Sequence, residues 1–271
     1  MNKVAVVVPV YLEKPSKDEK KSLLQTKMVL SGYPIIVVCP ENINVSEYTF
    51  LTDKFIRFKK TDFKNVRAYS RLCLSYKFYE KFKDFEYIFI CQPDGWVFKD
   101  ELEYWCNQDY DYIGAPWFDG FEKADKNSKM LDYVGNGGMS LRNVQKHIKM
   151  FENPYFIQSY SSIVEENKKH KTISNVLNIP INMCKYLSQF VIPSRIGTKL
   201  NEDFYISKYA KKIVPDFRFP LPKIALKFAF ENQPRILYEM NEQKLPFCCH
   251  AFKKYDYDFW KQYINLEEDN D

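Results

Sequence analysis

Only eight glycines and three histidines occur in the 271 residues, and both shortages narrow what the chain can be. The histidines (147, 170 and 250) are scattered and no cysteines fall at C-x-x-C spacing, so a zinc cluster has no ligand set. The seven cysteines (39, 73, 91, 106, 184, 248 and 249) are odd in number, and Cys91 lies inside an apolar run. They read as reduced thiols in a reducing compartment rather than as a disulfide framework. The chain lacks a G-x-S-x-G elbow, a G-K-[ST] phosphate loop and an in-register G-x-G-x-x-G. Nucleophilic-serine, ATP and dinucleotide assignments therefore fail. No apolar run approaches the ~20 residues of a membrane span. The net charge of +5 is spread over mixed runs such as "KDEKK", which argues against a nucleic-acid partner.

What the chain does have is 45% hydrophobic and 17% aromatic residues, enough for a sizeable core and against disorder. "KVAVVVPVY" (3–11) and "YPIIVVCP" (33–40) are continuous Val/Ile runs ended by proline, the pattern of strands covered on both faces. The start is β-branched with no cleavage site, so it reads as a first buried strand and not a leader. Between the two runs, "EKKSLLQTKMVLSG" has helical spacing, with Gly32 expected as its C-cap. "KFIRFKK" (54–60) reads as a third strand. "NVRAYSRLCLSYKFYEKF" (65–82) reads as one helix, with Ala68, Leu72, Tyr76 and Tyr79 on a common face. It feeds "FEYIFICQPD", a strand that delivers Asp94 at its end. "KDELEYWCNQ" reads as a short helix, and "DYVGNGGMSLRNVQKHIKMF" (132–151) as a strand-like start passing through glycines into a helix. Positions 155–195 look helical in patches. The alternation predicts an α/β fold with a mostly parallel central sheet flanked by helices, in one domain over 1–260. Within it the chain would divide into halves of about 1–150 and 151–260. An acidic tail follows at 261–271. In such folds ligands sit outside the carboxyl ends of the strands, where Asp94 stands.

Six of the eight glycines and three of the four tryptophans (96, 105 and 117) lie between positions 95 and 138. Tight turns alone would explain the glycines. They become informative because acids border them. Asp94 in "QPDGWVF" is either a turn residue or a ligand for a hard cation, which needs only one or two protein carboxylates when a diphosphate completes its shell. "GNGGMSLRN" (135–143) offers amides that would cradle a phosphate or sugar, with Ser140 or Arg142 able to bond sugar hydroxyls. In "NED" (201–203) the acids either complement a helix start or include a general base at a cleft edge. "CCHAFKK" places His250 at a strand end beside Lys253 and Lys254, whereas His147 and His170 lie in lysine-rich helical contexts and read as solvated.

Taken in order, a strand-ending acid, "YDYIGAPW", "VGNGGMSLRN", "NEDFYIS" and "PFCCHAF" resemble the GT-A glycosyltransferases. Within them the set is similar to a mostly bacterial family catalogued as a domain of unknown function and described as candidate glycosyltransferases. The resemblance spans about 3–255 and is densest from Ile88 to Asp203. It implies a GT-A fold and transfer of a hexose or N-acetylhexosamine from a UDP-sugar to a glycan, lipid-linked glycan or surface-polysaccharide hydroxyl. Inversion with Asp203 as base and Glu202 beside it is the implied course. The D-x-D position is Gln92-Pro93-Asp94, which keeps only the last acid, so Mn2+ or Mg2+ held by Asp94 and His250 is one option. The other is metal-free work with Lys253 and Lys254 on the diphosphate. The resemblance also implies donor or nucleotide contacts at Val10, Tyr11, Arg67, Arg71, Gln92, Asp94, Gly137, Gly138, Ser140 and Lys253. It puts Trp117 against the acceptor, and acceptor choice in 155–199. Localisation is expected to be cytoplasmic, with peripheral contact at the inner face of a membrane as an option.

Rival readings remain at this point. A nucleotidyltransferase would need glycines right after the first strand, where "PVYLEKPSKDEKK" has none. A hydrolase using Asp94 and Asp203 turns on their separation, which sequence does not give. A non-catalytic carbohydrate-binding protein would explain the aromatics but not the acids at successive element ends.

Overall fold

Alternate residues of the first strand, β1 (Asn2–Pro9), are buried on opposite faces of one sheet. Val4, Val6 and Val8 pack with Leu23, Phe89 and Trp105, while Ala5 and Val7 pack with Leu72, Phe78 and Ile88. Apolar cover on both faces is what continuous Val/Ile runs require, and it makes this sheet the centre of the molecule. The computed structural model describes residues 2–152, 160, 163–164, 178–191 and 201–266. The positions 155–199 expected to set acceptor choice lie largely outside the described residues. So do His170 and tail residues 267–271.

β2 (Ile35–Pro40), β3 (Phe55–Phe58) and β4 (Phe85–Cys91) run parallel to β1, in the order β3-β2-β1-β4. Helix Lys17–Val29 makes the first crossover, opened by a capping box in which Ser16 and Glu19 bond each other's backbone amides. It ends with Leu30 as its cap, so the expected C-cap at Gly32 is corrected by two residues. The expected helix over 65–82 is in fact two, Val66–Cys73 and Tyr76–Glu80, because Ser75 takes an extended conformation between them. That break turns Tyr76 outward while Ala68, Leu72 and Tyr79 stay buried.

Beyond β4 come β5 (Trp96–Val97), β6 (Tyr112–Ile113), β7 (Ala115–Phe118), β8 (Met130–Gly135) and β9 (Met139–Asn143). β9 pairs antiparallel with β4, and β6 antiparallel with β9, so they extend the sheet on its far side. The glycine loop 135–138 therefore leads into a strand, not directly into a helix as the sequence suggested. Helix Val144–Glu152 starts only after β9. β7 and β8 form a separate hairpin.

Because β2 and β3 lie on one side of β1 and β4 on the other, the order in which parallel strands are added to the sheet reverses between β1 and β4. That is the switch point at which open α/β sheets form their crevice. The start of β9 joins this end, since Met139 pairs with Cys91. A small second sheet completes it. β10 (Ala229–Phe230) and β11 (Cys248–Cys249) are parallel, and β5 is antiparallel to β11, with Phe230, Cys249 and Trp96 in register. The residues just beyond that register, Glu231, His250 and Gly95, consequently emerge at the same edge.

Candidate functional site

Three separate chain segments meet at His250. Its Nε2 lies 3.1 Å from Gln92 Oε1 and 3.4 Å from Asp94 Oδ1, both just past the end of β4. Its Nδ1 lies 2.8 Å from Glu231 Oε1, directly after β10. Burial opposes a charge on this ring, but hydrogen bonds to Asp94 and Glu231 and their charges outweigh it and push its pKa up to about 10. Burial would also raise Asp94. The bond from His250 and its charge reverse that and hold the carboxyl below its ordinary value.

Beside this cluster runs the loop Gly135–Gly138, and its amides are already committed. Asn136 and Gly137 donate to Asp203 Oδ2 at 3.2 and 2.9 Å, while Gly138 and Met139 donate to the side chain of Asn136 at 3.1 and 3.0 Å. The expected amide cradle for a phosphate or sugar is corrected accordingly: these donors hold the loop to itself and to the helix Glu202–Ile213. Asn136 carries the positive φ of 87° that glycine would ordinarily supply, so the glycines serve a different need. A Cβ at Gly137 would fall 2.4 Å from Glu202 Oε1, and one at Gly138 2.1 Å from His250 Nε2. The loop is glycine because side chains of the site lie directly against it.

The two acids of "NED" differ sharply in surroundings. Glu202 is buried, accepts from Ser70 Oγ at 2.7 Å and pairs with Arg142 at 3.4 Å. Arg142 is itself fully buried, donating to Ser140, Tyr79 and the carbonyl of Gly137. Ser140 and Arg142 thus brace the loop from beneath and present no face to a donor sugar, a correction to their expected role. Asp203 has 8% exposure and accepts a third amide, Phe204, on Oδ1 at 2.7 Å. A carboxylate has about four lone-pair directions, so the remaining one is on Oδ1. Burial, then the charges of Glu202 and Glu231, raise its pKa to about 7, which suits a general base working near neutrality.

Other expected residues are placed differently. Trp117 is buried, stacks on Phe204 with centroids 5.9 Å apart, and donates Nε1–H to Glu231 Oε2 at 2.6 Å. Its ring is consumed by packing, not offered to a sugar. Arg67 and Arg71 are exposed on the helix that brings Ser70, rather than either arginine, to Glu202. Val10 is buried and Tyr11 exposed, directly after β1. Lys253 pairs with Asp18 and Lys254 with Glu122, so metal-free charge from these lysines would require both pairs to open. His147, read as solvated, is completely buried against Tyr79, Tyr112, Phe151 and Phe217; the lysines around it in sequence belong to the helix's outer side.

Glu231 was missed. A short signal existed: "FAFE" (228–231) is an apolar stretch ended by an acid, as is the stretch before Asp94.

Among the described residues no group of three or more His, Cys, Asp or Glu side chains is arranged to hold a metal. The imidazole nitrogen, carboxylate oxygen and amide oxygen gathered at His250 are nevertheless donors of the kinds a divalent cation accepts. The amide oxygen of Gln92 and the carboxylate oxygen of Asp94 lie 3.1 and 3.4 Å from the imidazole Nε2. Neighbouring positions of an octahedron at about 2.1 Å need roughly 3 Å.

The fold is α/β with a mostly parallel central sheet, and the cluster lies at its switch point. A family model described as a protein of unknown function (DUF5672) matches residues 52–250, from the threshold of β3 to His250. The chain belongs to that family. Solved structures similar to it include the galactosyltransferase LgtC in complex with donor and acceptor sugar analogs, at 10% identity, covering 91% of this chain and 86% of that one, with a TM-score of 0.46. Another is a glycosyltransferase involved in glycosylation of the major capsid of PBCV-1, at 10% identity, 92% coverage of each chain and a TM-score of 0.40. A third is A197 from STIV, at 11% identity, covering 54% of this chain and 68% of that one, with a TM-score of 0.31. No curated protein matches. No helix among the described residues is long and apolar enough to cross a membrane.

Proposed function

We propose that the chain is a GT-A-type glycosyltransferase. It moves a hexose or N-acetylhexosamine from a UDP-sugar to a hydroxyl of a glycan or surface-polysaccharide acceptor, with inversion. The observation that carries this reading is the meeting of Asp94 and His250, 3.4 Å apart at the sheet's switch point, beside a loop pinned by Asp203. Glycosyl transfer has two demands: charge on the leaving diphosphate, and removal of a proton from the acceptor hydroxyl. Asp94 and His250, with Gln92 beside them, would hold a divalent cation, which would supply that charge. Asp203 takes the acceptor proton on Oδ1. Tyr11 is exposed directly after β1, and in this reading it meets the nucleotide base. The motif order and the absence of other nucleotide fingerprints support UDP over other nucleotides.

Calorimetry with UDP, GDP, CDP and ATP, with Mn2+ and again in EDTA, tests the donor. UDP binding that needs Mn2+ and vanishes in Asp94→Ala is expected. The Asp94 side chain is 54% exposed, so its removal costs little packing and the variant should stay folded. Preference for ATP would sink the reading. Full turnover of UDP-sugars in EDTA would keep the transferase and remove the metal from it.

A further inference from the structure

Glu231 is an acid with one occupied oxygen and one purpose left for the other. Trp117 Nε1–H donates to Oε2 at 2.6 Å, and Oε1 faces His250 Nδ1 at 2.8 Å. The three side chains come from three strands, with Trp117 in β7, Glu231 after β10 and His250 after β11, so the contact is set by how the strands pack. Glu231 and Trp117 are both largely buried. On the other side of the ring, Gly138 closes against Nε2 so tightly that a Cβ would sit 2.1 Å away. The imidazole is therefore held on both sides. An indole N–H can only donate, so it holds Oε2 as an acceptor. A carboxylate can only accept, so Oε1 requires the hydrogen to be on Nδ1. That leaves Nε2 as the nitrogen turned toward Gln92 and Asp94.

Resting on the functional reading above, we propose that Glu231 is the positioning residue of His250. It fixes the ring so that Nε2 faces the place of a divalent cation, and Trp117 acts by fixing Glu231. Trp117 thus serves the donor side of the site through two hydrogen bonds, not the acceptor through stacking. Outer partners of this kind set ligand orientation and typically change metal affinity 10–100-fold when removed.

The geometry makes an unusual demand on variants. In Glu231→Gln the side chain keeps one acceptor oxygen and gains an NH2 group, yet it still meets two donors, Trp117 Nε1–H and His250 Nδ1–H. Either one of them loses its acceptor, or the ring moves its hydrogen to Nε2 and Nδ1 accepts from the amide, which takes the free nitrogen away from Gln92 and Asp94. Trp117→Phe removes the competing donor, so the double variant can turn its amide oxygen to His250.

The experiment measures Mn2+ affinity in the presence of UDP by calorimetry, and the His250 Nδ1–H proton by NMR, which is assignable with three histidines in the chain. Glu231→Gln should weaken Mn2+ about 10–100-fold and lose or shift the proton signal. Trp117→Phe alone should change affinity by less. The double variant should recover most of the affinity and the signal. Thermal melts report the fold of each variant, and a merely structural role predicts additive losses with no recovery. Wild-type affinity and an unshifted signal in Glu231→Gln, or a double variant worse than either single one, would overturn the proposal. A wild-type chain that binds no divalent cation but shows the expected loss and recovery of the Nδ1–H signal would remove the metal from the functional reading and leave the tether standing.

Discussion

Asp203 Oδ2 lies 2.9 Å from the amide nitrogen of Gly137, so the candidate base and the glycine loop form one piece of structure. An Asp-to-Asn change at this position is isosteric but not silent. With three amides on the two oxygens, an amide side chain must give up at least one of these bonds. Asp203→Asn should therefore lose roughly 1–3 kcal/mol of stability, partly offset by relief from Glu202 and Glu231. It should also lower turnover about 10²–10⁴-fold and leave UDP affinity near that of the wild type. In the wild type, kcat/KM should climb with pH up to about 7 and level off above it, because the base must be unprotonated. A profile flat from pH 5 to 8, or full turnover in Asp203→Asn, would assign the proton transfer elsewhere.

Glu202→Gln should behave in the opposite manner. Glu202 faces buried Arg142 and the hydroxyl of Ser70, not the cleft. Removing its charge leaves a guanidinium buried without its counterion, a change that typically costs about 3–5 kcal/mol. Urea unfolding should register that loss, while activity per folded molecule stays within a few-fold. A stable but inactive Glu202→Gln would exchange the roles of the two acids.

The glycines separate by what lies above them. Gly138→Ala would drive a methyl group into His250 and should abolish Mn2+ binding by moving the ring. Gly137→Ala would meet Glu202 and should cost about 1–3 kcal/mol of overpacking. Gly32→Ala meets nothing within 4 Å and should leave binding and stability almost unchanged. Calorimetry and thermal melts on the three variants check all of these at once.

The contrast among these glycines marks what sequence can carry. Strand identity was legible because buried parallel strands need unbroken Val/Ile runs, and Asp94 and His250 drew attention because each follows an apolar stretch. The purpose of the glycine loop was not. A glycine that admits a neighbouring imidazole looks the same in sequence as one that admits a phosphate. Only the contact from a segment more than a hundred residues away, His250 against Gly138, separates the two. Ser75 hid a helix break for a similar reason, since the helical spacing of apolar residues continues across it. His147 read as solvated because its sequence neighbours are lysines, while its burial is set by Tyr79 and Phe217 from distant segments.

His147 also sets the last prediction, the acid sensitivity of the fold. It is buried among rings, its Nδ1 lies 2.7 Å from the carbonyl of Asn143, and its Nε2 is buried without a hydrogen-bond partner. Burial first, and then the charge of Arg142, push its pKa down from 6.5 to about 3. A base whose folded pKa is depressed stays neutral in the fold while the unfolded chain takes up a proton. Its contribution is therefore complete above pH 6.5 and is lost as the pH falls from there toward 3. At 1.36 kcal/mol per pH unit for one proton, the loss by pH 5 is about 2 kcal/mol. Asp203 has the opposite sign. Its raised pKa makes stability fall as the pH rises from about 4 to 7, so the total curve of the wild type mixes the two. The difference between wild type and His147→Phe isolates the histidine. Phenylalanine keeps the ring packing and loses only the bond to Asn143, a cost independent of pH. Urea unfolding at pH 7.5 and pH 5 should show the variant losing about 2 kcal/mol less than the wild type over that interval. Equal losses in the two proteins would mean that His147 is protonated in the folded chain and that its buried nitrogen has found a partner.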